Sequence, residues 1–315
     1  MVSSTSTIAA VLRRIEKYIH RTPVMSSRQI NGLSDSNVFF KCENFQRMGA
    51  FKMRGAMNAI LSLSQEQLSK GVATHSSGNF AQALSLAAKE MNVKAYIVMP
   101  NNAPAIKTAA VKGYGGRVIE CEPTLQAREQ TLNEVVEKTG ATFLHPYNQK
   151  EVIMGQGTAA LELMQEVPDL DYIITPVGGG GLISGTALAV QEFSAKTIVI
   201  GGEPFGADDA WRSVEAGHII PSENPQTIAD GLRTSLGDQT FPIIKKHVEE
   251  IIRVEEDEII AAMRFIWERM KIIIEPSSAV ALAALLKDKQ RFEGKRTGVI
   301  ISGGNVDLSG FDLFE

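Results

Sequence analysis

Residues 172 to 181 read Tyr172-Ile173-Ile174-Thr175-Pro176-Val177-Gly178-Gly179-Gly180-Gly181, an apolar, β-branched run halted by proline and followed by four consecutive glycines. The run reads as a strand over Tyr172 to Thr175. A glycine run after a strand is often only a tight turn that lets a helix pack closely. Four in succession allow several backbone N–H groups to face one dianion, at the start of a helix whose dipole also favours negative charge. The spacing is not that of a nucleotide fold. Gly-x-Gly-x-x-Gly counted from Gly178 puts Ile183 at the last position, and counted from Gly179 puts Ser184 there. No P-loop lysine follows either.

Outward from this run, short apolar segments alternate with helical patterns, which predicts βαβ units around a largely parallel sheet. Further strands are expected at Val38 to Lys41, Gly71 to His75, Ala95 to Met99, Thr197 to Gly201 and Gly298 to Ile301. Between them, Ser64 with Gln67 forms a capping box closed by Gly71, and Ala81, Leu84, Ala88 and Met91 share one helical face. In open α/β sheets, ligands bind beyond the carboxyl ends of strands. Three such loops follow predicted strands: Ser76-Ser77-Gly78-Asn79, the tetraglycine, and Ser302-Gly303-Gly304-Asn305. The first could cradle a carboxylate at the start of the helix near Phe80, although one serine or asparagine would suffice as an ordinary cap.

A second unusual stretch is Met48-Gly49-Ala50-Phe51-Lys52-Met53-Arg54-Gly55. A lone lysine is ordinarily a solvated charge, but partial burial between Phe51 and Met53 would depress the pKa of Lys52 and favour the free amine. A lysine nucleophile together with a phosphate cradle points to pyridoxal phosphate. With 44% hydrophobic and 22% charged residues in 315, the chain has enough apolar surface for one large core or two smaller ones, and a domain pair is the better expectation. The net charge of −4, without a basic block, argues against a nucleic-acid partner. No apolar run approaches the roughly 20 residues needed to span a bilayer, which argues against a membrane partner. The two cysteines, Cys42 and Cys121, lack CxxC spacing, and the opening residues lack the apolar core of a signal peptide, so a cytoplasmic enzyme is expected.

The motifs together carry a family resemblance. Ala50 to Ala56, Ser76 to Asn79, Gly155-Gln156-Gly157-Thr158, Pro176 to Gly181, Ala229-Asp230-Gly231 and Ser302 to Asn305 resemble, in this order and over nearly the whole chain, the serine racemase and serine/threonine dehydratase family. The resemblance implies the α/β architecture of fold-type II pyridoxal-phosphate enzymes, like the tryptophan synthase β chain, with the active site between two open twisted-sheet domains. A discontinuous large domain, 1–60 and 149–315, would carry the cofactor, and a small domain, 61–148, would close over the substrate.

By the same resemblance, Lys52 would bind the cofactor aldehyde and act as base at Cα, with Phe51 packed beside it. Gly178, Gly179, Gly180 and Gly181 would hold the 5′-phosphate, Asn79 the ring hydroxyl, and Ser302 would face the pyridine nitrogen. A hydroxyl there makes the ring a weaker electron sink than a carboxylate would, which favours elimination over transamination. Ser76, Ser77 and Gly78 would hold the substrate carboxylate, and Ser77 could also exchange a proton on the face opposite Lys52. The implied reaction is racemisation or dehydration of L-serine, L-threonine and, through a match at Arg128, L-threo-3-hydroxyaspartate. An arginine beside Glu129 is otherwise commonly a solvated helix charge.

The resemblance also implies a Mg²⁺ or Ca²⁺ site at Glu203, the Ala207 carbonyl and Asp209. Activation by ATP is not expected, because Arg47 and Met48 depart from a Lys-Thr pattern although Gln82 and Tyr114 are retained. Phe80-Ala81 replaces the His-Gly of animal racemases, which alters the pocket. Only ten residues, 306–315, follow the Ser-Gly-Gly-Asn turn, so no added regulatory domain is expected. The family suggests a homodimer. Alternatives are β-replacement as in cysteine synthases and a non-catalytic binding homologue; a nicotinamide dehydrogenase would need the glycine fingerprint that is missing.

Overall fold

The apolar runs become strands β1 (Val24–Met25), β2 (Asn37–Cys42), β3 (Val72–His75), β4 (Ala95–Pro100), β5 (Arg117–Cys121), β6 (Thr142–Phe143), β7 (Tyr172–Pro176), β8 (Ile198–Pro204), β9 (Glu250–Val254) and β10 (Arg296–Ile301). The computed structural model describes residues 7–194 and 196–308; the first six residues, read above for a leader, and the last seven of the closing segment lie outside them. One sheet has the order β1-β2-β10-β7-β8-β9 and the other β5-β4-β3-β6. The β1–β2 pair is antiparallel and the other pairs are parallel. The α/β reading therefore stands, with two parallel-rich sheets.

Each of the six expected strands forms within a few residues of its expected bounds. The four that were not expected, β1, β5, β6 and β9, are the four sheet edges. An edge strand is paired on one side only and needs less apolar surface. In β5, accordingly, only Cys121 of five residues is buried.

Local sequence rules hold where they were applied. Ser64 and Gln67 make the reciprocal capping box of the helix Gln65–Lys70, and Gly71 ends it at φ 96°, a conformation suited to glycine. The helix Asn79–Glu90 buries Ala81, Leu84 and Ala88 fully. The Gly155-Gln156-Gly157 motif acts in packing: a Cβ on Gly157 would meet the Gly185 carbonyl oxygen at 2.4 Å, and one on Gly155 would meet Gly55 Cα at 2.6 Å. These approaches bring the helices Lys150–Glu166, Gly181–Phe193 and Lys52–Leu61 into backbone contact on one face of the larger sheet. The helix Pro276–Lys287 covers the other face, with Val280, Leu282 and Leu285 fully buried. Among the described residues no helix is long and apolar enough to cross a membrane.

Candidate active site

Lys52 opens the helix Lys52–Leu61, so the strand-like approach through Ala50 ends where its side chain leaves the backbone. The Phe51 N–H donates to the Ser302 carbonyl oxygen at 3.0 Å, which ties this helix start to the end of β10. The Lys52 amine donates to the Pro146 carbonyl oxygen at 2.9 Å and lies 5.0 and 5.9 Å from the ring centroids of Phe51 and Phe80. Burial lowers its pKa to about 8, with the Glu275 carboxylate pulling the other way. Phe80, 2% exposed, thus contributes apolar wall next to the amine.

Two of the three loops read from the sequence meet although their strands belong to two sheets. Asn305 Nδ2 donates to Asn79 Oδ1 at 2.9 Å, joining the loop after β10 to the loop after β3. Asn79 Nδ2 in turn donates to both oxygens of Glu275, at 3.0 and 3.1 Å. Ser76, Ser77 and Gly78 are half-buried at the start of the helix Asn79–Glu90, with the Gly78 N–H donating to Ser76 Oγ at 3.4 Å. Ser302 is 3% exposed, and its Oγ lies 2.9 Å from Ser278 Oγ, which also bonds both the N–H and the carbonyl of Gly303.

The tetraglycine loop is buried throughout, and Gly180 caps the helix Gly181–Phe193 at φ 86°. A Cβ on Gly178 would stand 3.0 Å from the Gly231 carbonyl oxygen, one on Gly179 2.5 Å from the ring carbons of Tyr147, and one on Gly180 2.8 Å from Thr240. Side chains would have no room here, because the loop is packed against Gly231, Tyr147 and Thr240. Its backbone N–H groups at a helix N-terminus suit a phosphate dianion, so the residues fit pyridoxal phosphate.

Two participants carried no recognisable signal. Glu275 reads in the sequence only as the residue before Pro276 at a helix start, yet it is 5% exposed and burial raises its pKa to about 7. Tyr147 lies against the glycine cradle, its ring 4.6 Å from that of His145, and burial and Asp209 push its phenol up to about 12. Arg128, in the helix Leu125–Thr139, is half-buried with a buried Nε that has no partner; burial lowers the His75 pKa, Glu129 opposes this, and the Arg128 charge adds a smaller lowering. Lys107 and Asp230 form an ion pair, and both act on Glu275 electrostatically, so this pair lies near the Glu275–Asn79 group.

Glu203 at the end of β8 is fully buried and accepts the Ala210 and Trp211 N–H groups at 2.9 and 2.8 Å, at the start of the helix Asp209–Ala216. Asp209 is also fully buried, and neither of its oxygens completes a hydrogen bond, although the Ser222 hydroxyl and Leu236 N–H are turned toward it. Burial, and for Glu203 the facing Asp209, raises both pKa values, that of Asp209 to about 6. Among the described residues no group of three His, Cys, Asp or Glu side chains is arranged to hold a metal, so an ion here would rest on two carboxylates and main-chain carbonyls such as that of buried Ala207. The orphaned Asp209 oxygens fit a hard divalent cation.

With this geometry in place, comparison with known proteins is informative. The profile of the family described as pyridoxal-phosphate dependent enzyme matches residues 15–303. A serine racemase of Dictyostelium discoideum is 54% identical over 302 residues, 94% of this chain and 93% of that protein. A beta-hydroxyaspartate dehydratase of Paracoccus denitrificans is 50% identical over 299 residues, 95% of each. The solved structure of maize serine racemase superposes with a TM-score of 0.95 at 47% identity, over 97% of this chain and 96% of that one.

Proposed function

We propose, from the premise that this chain belongs to the family of pyridoxal-phosphate dependent enzymes, that it racemises and dehydrates 3-hydroxy amino acids: L-serine, L-threonine and L-threo-3-hydroxyaspartate. The observation that carries the proposal is a lysine amine brought to a pKa of about 8 by burial and seated on the Pro146 carbonyl, next in the chain to Tyr147, whose ring packs against a buried run of four glycines. Pyridoxal phosphate, when bound, supplies an electron sink for the electrons left at Cα. The four glycine residues, Gly178 to Gly181, hold its phosphate, Asn79 its ring hydroxyl and Ser302 its ring nitrogen. Asn79 is oriented for this by Glu275 and Asn305, each of which fixes one end of its amide.

Ser76, Ser77 and Gly78 bind the substrate carboxylate, and Lys52 removes the Cα proton. If Ser77 returns a proton to the other face, Cα is inverted. If the β-hydroxyl leaves first, the product is a 2-oxo acid and ammonia, with atoms balanced by loss and regain of one water. The small unit, 61–148, closes over the substrate, and the Lys107–Asp230 pair supports this reading as a contact across the cleft. A homodimer in the cytoplasm, with amino acids as its small-molecule substrates, completes the proposal.

The test is chiral chromatography of products from L-serine, L-threonine and L-threo-3-hydroxyaspartate, run on the wild type and on Arg128→Ala. Oxo acids or D-serine from the wild type support the reading. Cysteine formed faster from added sulfide than pyruvate would replace it with β-replacement. Arg128→Ala is expected to lower kcat/KM for the dicarboxylate about 10–100-fold, the range of a lost hydrogen bond to a charged group, and for serine by no more than about threefold. Equal losses would remove Arg128 from dicarboxylate recognition.

We further propose that Glu203, Ala207 and Asp209 bind Mg²⁺ or Ca²⁺. Chelation is then expected to lower the unfolding midpoint by about 5 °C, as loss of roughly 2.7 kcal/mol for a cation at about 100 times its Kd requires. An unchanged midpoint would remove the cation from this pocket.

A further inference from the structure

Residues 144–149 connect β6 to the helix Lys150–Glu166. His145 Nδ1 accepts the N–H groups of Tyr147 and Asn148 at 3.3 and 2.9 Å, and the His145 N–H donates to Gln149 Oε1 at 3.0 Å, so the turn is closed on itself. Asn148 fastens it outward, donating to Asp238 at 2.6 Å and accepting the Gln239 N–H at 2.8 Å. Two consecutive residues of this fixed turn then face the site. The Pro146 carbonyl meets the Lys52 amine, and the Tyr147 ring lies against the tetraglycine loop.

The ring contact is close and specific. The three atoms nearest to a Cβ on Gly179 would all be Tyr147 ring carbons, each at 2.5 Å, and a Cβ on Gly181 would meet Tyr147 Cβ at 3.0 Å. The loop has no side chains of its own to hold its shape, and glycine is the residue with the most conformational freedom to lose. A rigid wall on one side of it is therefore what keeps its N–H groups converged. Thr240 supplies the opposite support, its hydroxyl donating to the Gly179 carbonyl at 2.9 Å.

We propose that Tyr147 is a positioning residue for phosphate, the ring wall that holds the tetraglycine loop in its anion-receptive shape. The inference rests on the reading of the site as a pyridoxal-phosphate site. It concerns the phosphate alone, because the main chain that meets Lys52 is held by His145 and Asn148 rather than by the Tyr147 ring.

The experiment titrates the full-length apoenzyme with pyridoxal phosphate and, separately, with pyridoxal, which lacks the phosphate, following the visible absorption of the bound ligand. Tyr147→Leu keeps volume without the flat ring, and Tyr147→Phe keeps the ring. Tyr147→Leu is expected to weaken pyridoxal phosphate about tenfold, or roughly 1.4 kcal/mol, and to leave pyridoxal unchanged, while Tyr147→Phe behaves as the wild type. Equal weakening of both ligands, or no weakening of either, overturns the proposal. A double-mutant cycle gives an independent arm: Gly179→Ala is expected to cost far more with Tyr147 in place than in Tyr147→Ala, and additive losses overturn the proposal. Failure of the wild type to bind pyridoxal phosphate would instead sink the functional reading itself.

Discussion

Lys52→Ala is expected to abolish turnover of every hydroxy amino acid, by about 10⁴-fold or more, while the protein stays folded. A positioned acid/base alone contributes up to about 10⁴-fold, and in the proposed mechanism the same amine is also the covalent anchor. Two lysines named above have other partners. Lys41 is fully buried in an ion pair with Glu162, and Lys107 is paired with Asp230. Borohydride reduction should fix the cofactor to the wild type and not to the variant, and retained turnover in Lys52→Ala would sink the assignment.

The pH dependence of stability should respond to the same substitution. In the cofactor-free protein the folded value is about 8 against an ordinary 10.5, so between these values the unfolded chain binds more protons. Wild-type stability therefore rises with pH across that window, and the rise levels off above it. Lys52→Ala should lose that rise, which denaturant titration of the apoenzyme at the two ends of the window measures.

The second large effect is structural. Two residues after Lys52, Arg54 is buried with 0% exposure among Glu43, Glu162 and Lys41. It donates from Nε and Nη2 to Glu43 at 2.7 and 2.8 Å, and from Nη1 and Nη2 to Glu162 at 2.9 and 2.7 Å. Lys41 adds a 2.7 Å bond to Glu162, and Thr22 a 2.5 Å bond to Glu43. Two cations and two carboxylates balance, so the group is neutral as a whole.

Arg54→Met fits the volume but leaves two buried carboxylates facing one lysine. The expected loss is about 3–5 kcal/mol, the cost of breaking a buried ion pair from one side. The unfolding midpoint should fall by about 5–10 °C. Burial alone would raise the Glu162 pKa, but Arg54 and Lys41 hold it below the usual carboxylate range. Its contribution is therefore present above the unfolded value, about 4.3, and is lost as pH falls through the depressed folded value. Arg54→Met should accordingly flatten the acid limb of the stability curve. A midpoint within about 1 °C of wild type would show that the network contributes little.

Much of the fold was legible because its signals are short-range. Tyr172 to Thr175, Val38 to Lys41 and Gly298 to Ile301 are central strands flanked by neighbours on both sides, and such strands must be apolar nearly throughout. The edge strands β5 and β9 were not legible, since Arg117, Glu120, Glu250 and Arg253 interrupt their apolar character where one side is unpaired. The Ser64 cap and the Gly71 stop were legible because a cap is settled within one helical turn.

By itself the sequence determined the α/β class and the family, and it singled out the lysine and the glycine run proposed for the site, because each is carried by adjacent residues whose backbone freedom or side-chain chemistry is local. Only the tertiary structure decided which distant groups meet them. Glu275 comes to Asn79 from 196 positions along the chain and Lys52 meets the Pro146 carbonyl across 94. Those meetings change what the residues are. Removal from water brings the Lys52 amine and the Glu275 carboxyl to pKa values of about 8 and 7, and leaves Asp209 with oxygens that no protein group satisfies. Desolvation is a property of the packed interior, set by every element that closes over a group, and so it is written in no single stretch of the chain.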